Sequence, residues 1–140
     1  PNIKNDSTYL FCKAIIFFRE KNYSQAAPIL ASIKSDDFAL MLKIKSYFVM
    51  IQFESEFLSV GDRTLVWNAI NVLQSEFGKH EKTEVMEGMY SNFIDYVHSL
   101  MKKKPKLDEL LKNLENTPYI ASKTWLIEQI NNLKKKRILF

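Results

Sequence analysis

Apolar positions along this chain recur at steps of three and four, and the polar breaks between apolar blocks are short. That periodicity predicts helices throughout, whereas the alternation that a half-buried strand needs persists nowhere. Asp6 and Ser7 are helix-capping residues, and the block after them predicts a first helix over 7–21. Tyr9, Leu10, Phe11, Ala14, Ile15, Ile16, Phe17 and Phe18 surround nearly its whole circumference. A helix apolar all round is expected to be covered on more than one side. After the polar break Arg19-Glu20-Lys21-Asn22, a second helix is predicted over 23–34, with Ala26, Ala27, Leu30 and Ile33 on one face. Pro28 lies too deep for a first-turn position, so it should delete one backbone bond and bend this helix unless the helix starts late.

Ser35, Asp36 and Asp37 cap a third predicted helix over 37–54, with Phe38, Met41, Leu42, Ile44, Phe48, Val49 and Phe53 as its core. The boundary through Glu54-Ser55-Glu56 and Ser59-Val60-Gly61-Asp62 is not sharply marked. A fourth helix over 62–77 follows, built on Leu65, Val66, Ala69, Ile70, Val72, Leu73 and Phe77, with Gly78-Lys79-His80 as C-cap and connection. The fifth, over 81–103, has the clearest stripe: Val85, Met86, Met89, Tyr90, Phe93, Ile94, Val97, Leu100 and Met101. Pro105 opens a sixth over 105–115, Thr117-Pro118 breaks the chain, and a seventh runs over 120–136. Seven helices joined by short links predict an all-α, antiparallel helix-hairpin array in a single domain, 1–140: a hairpin at 7–34, a helix pair at 37–77 and three helices at 81–136. Three Gly and four Pro are too few turn residues for a sandwich or barrel.

Leu10, Ala14 and Phe17, then Tyr23, Ala26, Leu30 and Ile33, follow the large–small–large spacing of a tetratricopeptide repeat, and the first hairpin resembles one. It departs from that pattern at Phe38, where a Pro is usual. From about Tyr47 to Leu133 the chain resembles the C-terminal region of uncharacterised bacterial tetratricopeptide-like proteins. Tyr90-Ser91-Asn92-Phe93-Ile94, Leu107–Leu114, and Thr117-Pro118 followed by Lys123–Ile130 carry that likeness. The resemblance implies a scaffold segment that closes a longer helical array, and it implies no activity; the lone Cys12 fits a reducing compartment, so a cytoplasmic location is expected. Grooves of this family that grip a peptide carboxylate use polar and basic side chains. The corresponding places here are Phe11, Cys12, Ile15 and Phe18, with only Arg19 polar. An apolar cover is therefore expected: preceding repeats of the same chain, a second copy, or a partner helix. Phe11, Ile15 and Phe18 become candidate partner contacts.

Charge adds a second candidate. The net charge is +4, and residues 100–140 hold ten Lys/Arg against four Asp/Glu, so the basic surplus belongs to the C-terminal end. Lys102, Lys103 and Lys104 with Lys106 form one run; Lys134, Lys135, Lys136 and Arg137 form another. Both suit helix C-termini, where cations complement the dipole, and both could also bind phosphate or an acidic partner. A regulatory nucleic-acid-binding domain is the rival reading, although neither run has interleaved aromatics for stacking.

Chemistry adds little. Cys12 has no partner for an intramolecular disulfide and is expected to pack as a small hydrophobe. His80 and His98 are distant in sequence and no CxxC or HxxxH spacing occurs, so no metal site is expected. The acidic groups Asp36/Asp37, Glu54/Glu56, Glu81/Glu84/Glu87 and Asp108/Glu109 are read as first-turn or solvated residues. No nucleophile elbow or glycine-rich phosphate loop occurs, and no cofactor is expected. The apolar stretches Tyr9–Phe18 and Tyr47–Ile51 are too short to span a bilayer. The start at Pro1 suggests processing or a fragment, and Ile138-Leu139-Phe140 forms an apolar tip. The expected function is non-enzymatic protein–protein scaffolding.

Overall fold

A computed structural model describes residues 6–79 and 83–139, with side chains as far as Lys136. Every regular element among the described residues is helical, and none is a strand. The chain divides into two compact units, Pro1–His80 and Glu81–Phe140.

In the first unit, Asp6 caps α1 (Ser7–Arg19), its carboxylate accepting from the backbone N–H of Thr8 at 2.9 Å and Tyr9 at 3.1 Å. The helix closes with two backbone bonds, Lys21 N–H to the Phe18 carbonyl and Asn22 N–H to that of Phe17. This tight reversal needs a left-handed residue, and Lys21 supplies it at φ 63°. A side chain there costs about 1 kcal/mol relative to glycine. The reversal returns α2 (Tyr23–Ser32) along α1. Ala14 and Ala26 are both 0% exposed, the small residues that let two helices approach closely. Pro28 lies inside α2, which starts at Tyr23.

Asp37 caps α3 (Phe38–Gln52), accepting from Leu40 N–H. The helix does not stop at the expected boundary. It passes into a π-helical segment (Phe53–Phe57), then a last α-turn (Leu58–Val60), and ends at Gly61. Gly61 adopts φ 75°, which a Cβ would strain. Asp62 then accepts from Thr64 N–H at 2.9 Å, and α4 (Thr64–Phe77) packs back along α3. The core here is Phe18, Leu30, Leu42, Val49, Phe53, Val66, Ile70 and Leu73. Each such side chain contributes roughly 1.5–3 kcal/mol by leaving water.

In the second unit, Thr83 caps α5 (Glu84–Leu100), accepting from Met86 N–H. Here α6 is Leu107–Glu115 and α7 is Lys123–Leu139. The helix expected from Pro105 begins two residues later, with Lys106 as its N-cap, so Pro105 belongs to the preceding connection. Likewise Lys102, Lys103 and Lys104 lie beyond the end of α5. The Thr117-Pro118 break is fixed to α5. Ala121 N–H donates to the Met89 carbonyl at 3.1 Å, Asn92 Nδ2 donates to the Tyr119 carbonyl at 3.0 Å, and the Tyr96 and Thr117 hydroxyls are paired at 3.2 Å. Phe93, Val97, Leu114, Leu126 and Ile130 are fully buried.

Candidate functional site

The α1 face marked by Phe11, Ile15 and Phe18 is partly turned towards α3. Phe11 and Phe18 meet Tyr47 of α3 edge-on, with centroids 5.6 and 5.4 Å apart. Phe18 is 6% exposed and Ile15 is half-buried. Tyr47 thus supplies part of the apolar cover at Phe11 and Phe18, while Phe11 and Ile15 keep some exposed surface. The apolar side that α1 leaves open carries Tyr9, Cys12 and Ile16. Cys12 is therefore exposed and not packed as expected. At about 100° per residue it sits on the opposite side of the helix from Ala14, which is buried.

An apolar groove opens elsewhere in this unit. Its floor is α3, with Met41, Ile44, Lys45, Phe48 and Gln52 in line. One wall is the end of α2, with Leu30 and Ile33; the other is α4, with Leu65, Ala69 and Val72. The groove has a volume of about 400 Å³. From Met41 to Gln52 it spans roughly 16 Å of helix, about three turns. Leu65 and Val72 are 41% and 48% exposed, so the α4 rim presents apolar surface to solvent. Lys45, half-buried, is the charged residue in its lining. The groove exists because α4 carries two apolar stripes. Val66, Ile70 and Leu73 enter the core, and Leu65, Ala69 and Val72, each one residue earlier, border the groove. That double stripe was the available sequence signal.

Glu54 is the second departure. Read as solvated, it is 6% exposed. It accepts hydrogen bonds from Lys21 Nζ and from the Tyr23 hydroxyl at 2.8 Å. Burial first, then the hydrogen bond to Glu54 and its negative charge, push the Tyr23 hydroxyl far above the ordinary tyrosine value. The arrangement ties the α1–α2 reversal to the π-helical segment. Glu76 is also buried and pairs with Lys79 at 3.3 Å.

In the second unit Lys102, Lys103 and Lys104 are exposed, and so are Lys135 and Lys136. Lys134 Nζ pairs with Asp108 at 2.6 Å, which brings the second run to the first turn of α6, beside Lys106. The Arg137 side chain lies outside the described residues, as do His80 and Glu81. A cavity of about 360 Å³ is lined by Lys102, Lys104 and Lys106, facing Glu109, Leu110 and Asn113. His98 is exposed in the last turn of α5. Among the described residues no three His, Cys, Asp or Glu cluster as metal ligands, and no helix is long and apolar enough to cross a membrane.

Compared with protein-family models, curated proteins and solved structures, the chain matches none.

Proposed function

We propose that this chain is a non-enzymatic protein-interaction module. It holds an apolar helical segment of a protein partner in the groove between α2, α3 and α4. The observation that carries this reading is the α4 rim, where Leu65 and Val72 stand half in water beside buried Leu30, Ile33 and Ile44. An amphipathic helix docking with apolar anchors one turn apart is the occupant that such a groove fits. Lys45 favours an acidic residue among those anchors. The volume lies within the range of sites that hold a few anchoring side chains. A wider role as a scaffold segment closing a tetratricopeptide-like array is consistent with the α1–α2 hairpin, where Ala14 and Ala26 occupy the small positions.

The test is a selection of random helical peptides on the whole chain, repeated on the Leu65→Glu/Val72→Glu double variant. Both residues are exposed, so the variant should fold. Enriched peptides are expected to share apolar residues at helical spacing with an acidic neighbour, and to bind the variant at least tenfold more weakly. Peptides that bind both proteins equally, or no enrichment at all, contradict the reading.

A further inference from the structure

We propose that the cavity at the start of α6 binds a phosphate monoester, carried either by a protein segment or by a small phosphorylated molecule. This site is separate from the groove and does not depend on it. Lys102, Lys104 and Lys106, at alternate positions of the α5–α6 connection, line this one cavity, while Lys103 does not. The connection is anchored at both ends, because Met101 and Leu107 are each 3% exposed, and Pro105 between them is half-buried. The lysine backbone is thus largely positioned before any ligand arrives, which lowers the ordering cost of binding.

The charge balance selects the ligand. Glu109 is the one carboxylate of the lining. Asp108, the other acid of the first turn, is paired with Lys134 at 2.6 Å and does not line the cavity. Three lysines and one glutamate among the lining residues give them a formal charge of +2. A phosphate monoester carries about −1.5 to −2 at pH 7 and matches it; a single carboxylate does not. The volume of about 360 Å³ exceeds what a bare anion needs, so room remains for the group bearing the phosphate, against Leu110 and Asn113. Lys106, at the N-cap of α6, contributes no side-chain cap, so the positive end of the helix dipole adds to the lysine field. The lining holds no aromatic side chain on which a nucleobase could stack.

The experiment is an NMR titration of the whole chain with inorganic phosphate, O-phosphoserine, a phosphoserine peptide, its unphosphorylated form and a short single-stranded oligonucleotide. Saturable shifts confined to residues 99–113 are expected with the phosphorylated probes and not with the unphosphorylated peptide. Affinity should fall at least tenfold in Lys102→Gln/Lys104→Gln/Lys106→Gln and stay unchanged in Lys13→Gln/Lys43→Gln, whose sites are exposed lysines of the other unit. Binding should also weaken below about pH 6, where the monoester loses its second charge. A peptide tighter than phosphoserine makes a protein the source; equal affinities make it a small molecule. Shifts spread over all lysines, indifference to the triple substitution, or tighter binding of the oligonucleotide would each overturn the proposal.

Discussion

Tyr23 and Lys21 reach Glu54 across 31 and 33 residues of chain, and that carboxylate decides how the first reversal is held. A hydrogen bond to a charged acceptor contributes about 1.5–3 kcal/mol when buried. Tyr23→Phe should therefore destabilise the first unit by an amount near the lower end of that range, read as a shift in urea midpoint. The pH dependence has a definite sign. The folded Tyr23 hydroxyl is raised above its ordinary value of 10.0, so its contribution is complete below that pH and is lost as pH climbs beyond it. Burial raises Tyr47 and Tyr90 in the same direction, the first partly offset by Arg19. Stability should thus fall above about pH 10, and the fall should be shallower in Tyr23→Phe. Lys21 combines backbone strain with an ion pair whose lysine side chain is 61% exposed and which adds less than about 1 kcal/mol. Lys21→Gly should accordingly be more stable than Lys21→Ala by about 1 kcal/mol, because only glycine relieves the left-handed strain. Glu54 was illegible in the sequence for a physical reason. The three- and four-residue pattern assumes α geometry, and the π-helical turn rotates residues 53 and 54 inward together.

At the level of elements, periodicity and capping chemistry located the helices. Asp6 and Asp37 cap α1 and α3 as their side chains predict. Boundaries were lost where tertiary contacts rule: helical structure continues from α3 through the π-helical segment to Val60, and the connection after α5 starts at Met101. Pro28 sits in the middle of α2 and is exposed, so it removes a backbone donor without filling the core. Pro28→Ala should stabilise the protein. An interior proline costs about 3 kcal/mol in a helix, and its rigidity in the unfolded chain returns up to about 1 kcal/mol. A rise in melting temperature checks this; a fall would mean that α2 depends on the proline's rigidity. Ala14→Leu forces bulk into the closest approach of α1 and α2 and should cost about 1–3 kcal/mol or more. The same substitution at exposed Ile16 should be nearly neutral.

Across the molecule, the all-helical class was plain from the sequence, and the proposed binding surfaces were only partly so. The excess of apolar residues in α1 overstates its burial: Ala14 and Phe18 are buried, whereas Tyr9, Cys12 and Ile16 lie open, and the pattern does not say which element covers the rest. Tyr47 lies 36 residues from Phe11 and 29 from Phe18, beyond the reach of local pattern. The groove was hidden because Met41, Phe48 and Leu65 have the same chemistry as core residues, and only packing tells an apolar rim from an apolar interior. The basic runs were visible as charge. Their approach through Lys134 and Asp108 was not, since it depends on how α7 returns along α6.

The α2–α3–α4 groove is proposed as the place where a partner docks. The most direct measurement is a methyl NMR map of the whole chain titrated with a peptide selected against it. Saturable shifts are expected at Leu30, Ile33, Met41, Ile44, Leu65 and Val72, abolished by Leu65→Glu/Val72→Glu, with Val97, Leu114 and Ile130 of the second unit unmoved. Saturable shifts centred on Tyr9, Cys12 and Ile16, or on the second unit, would contradict it.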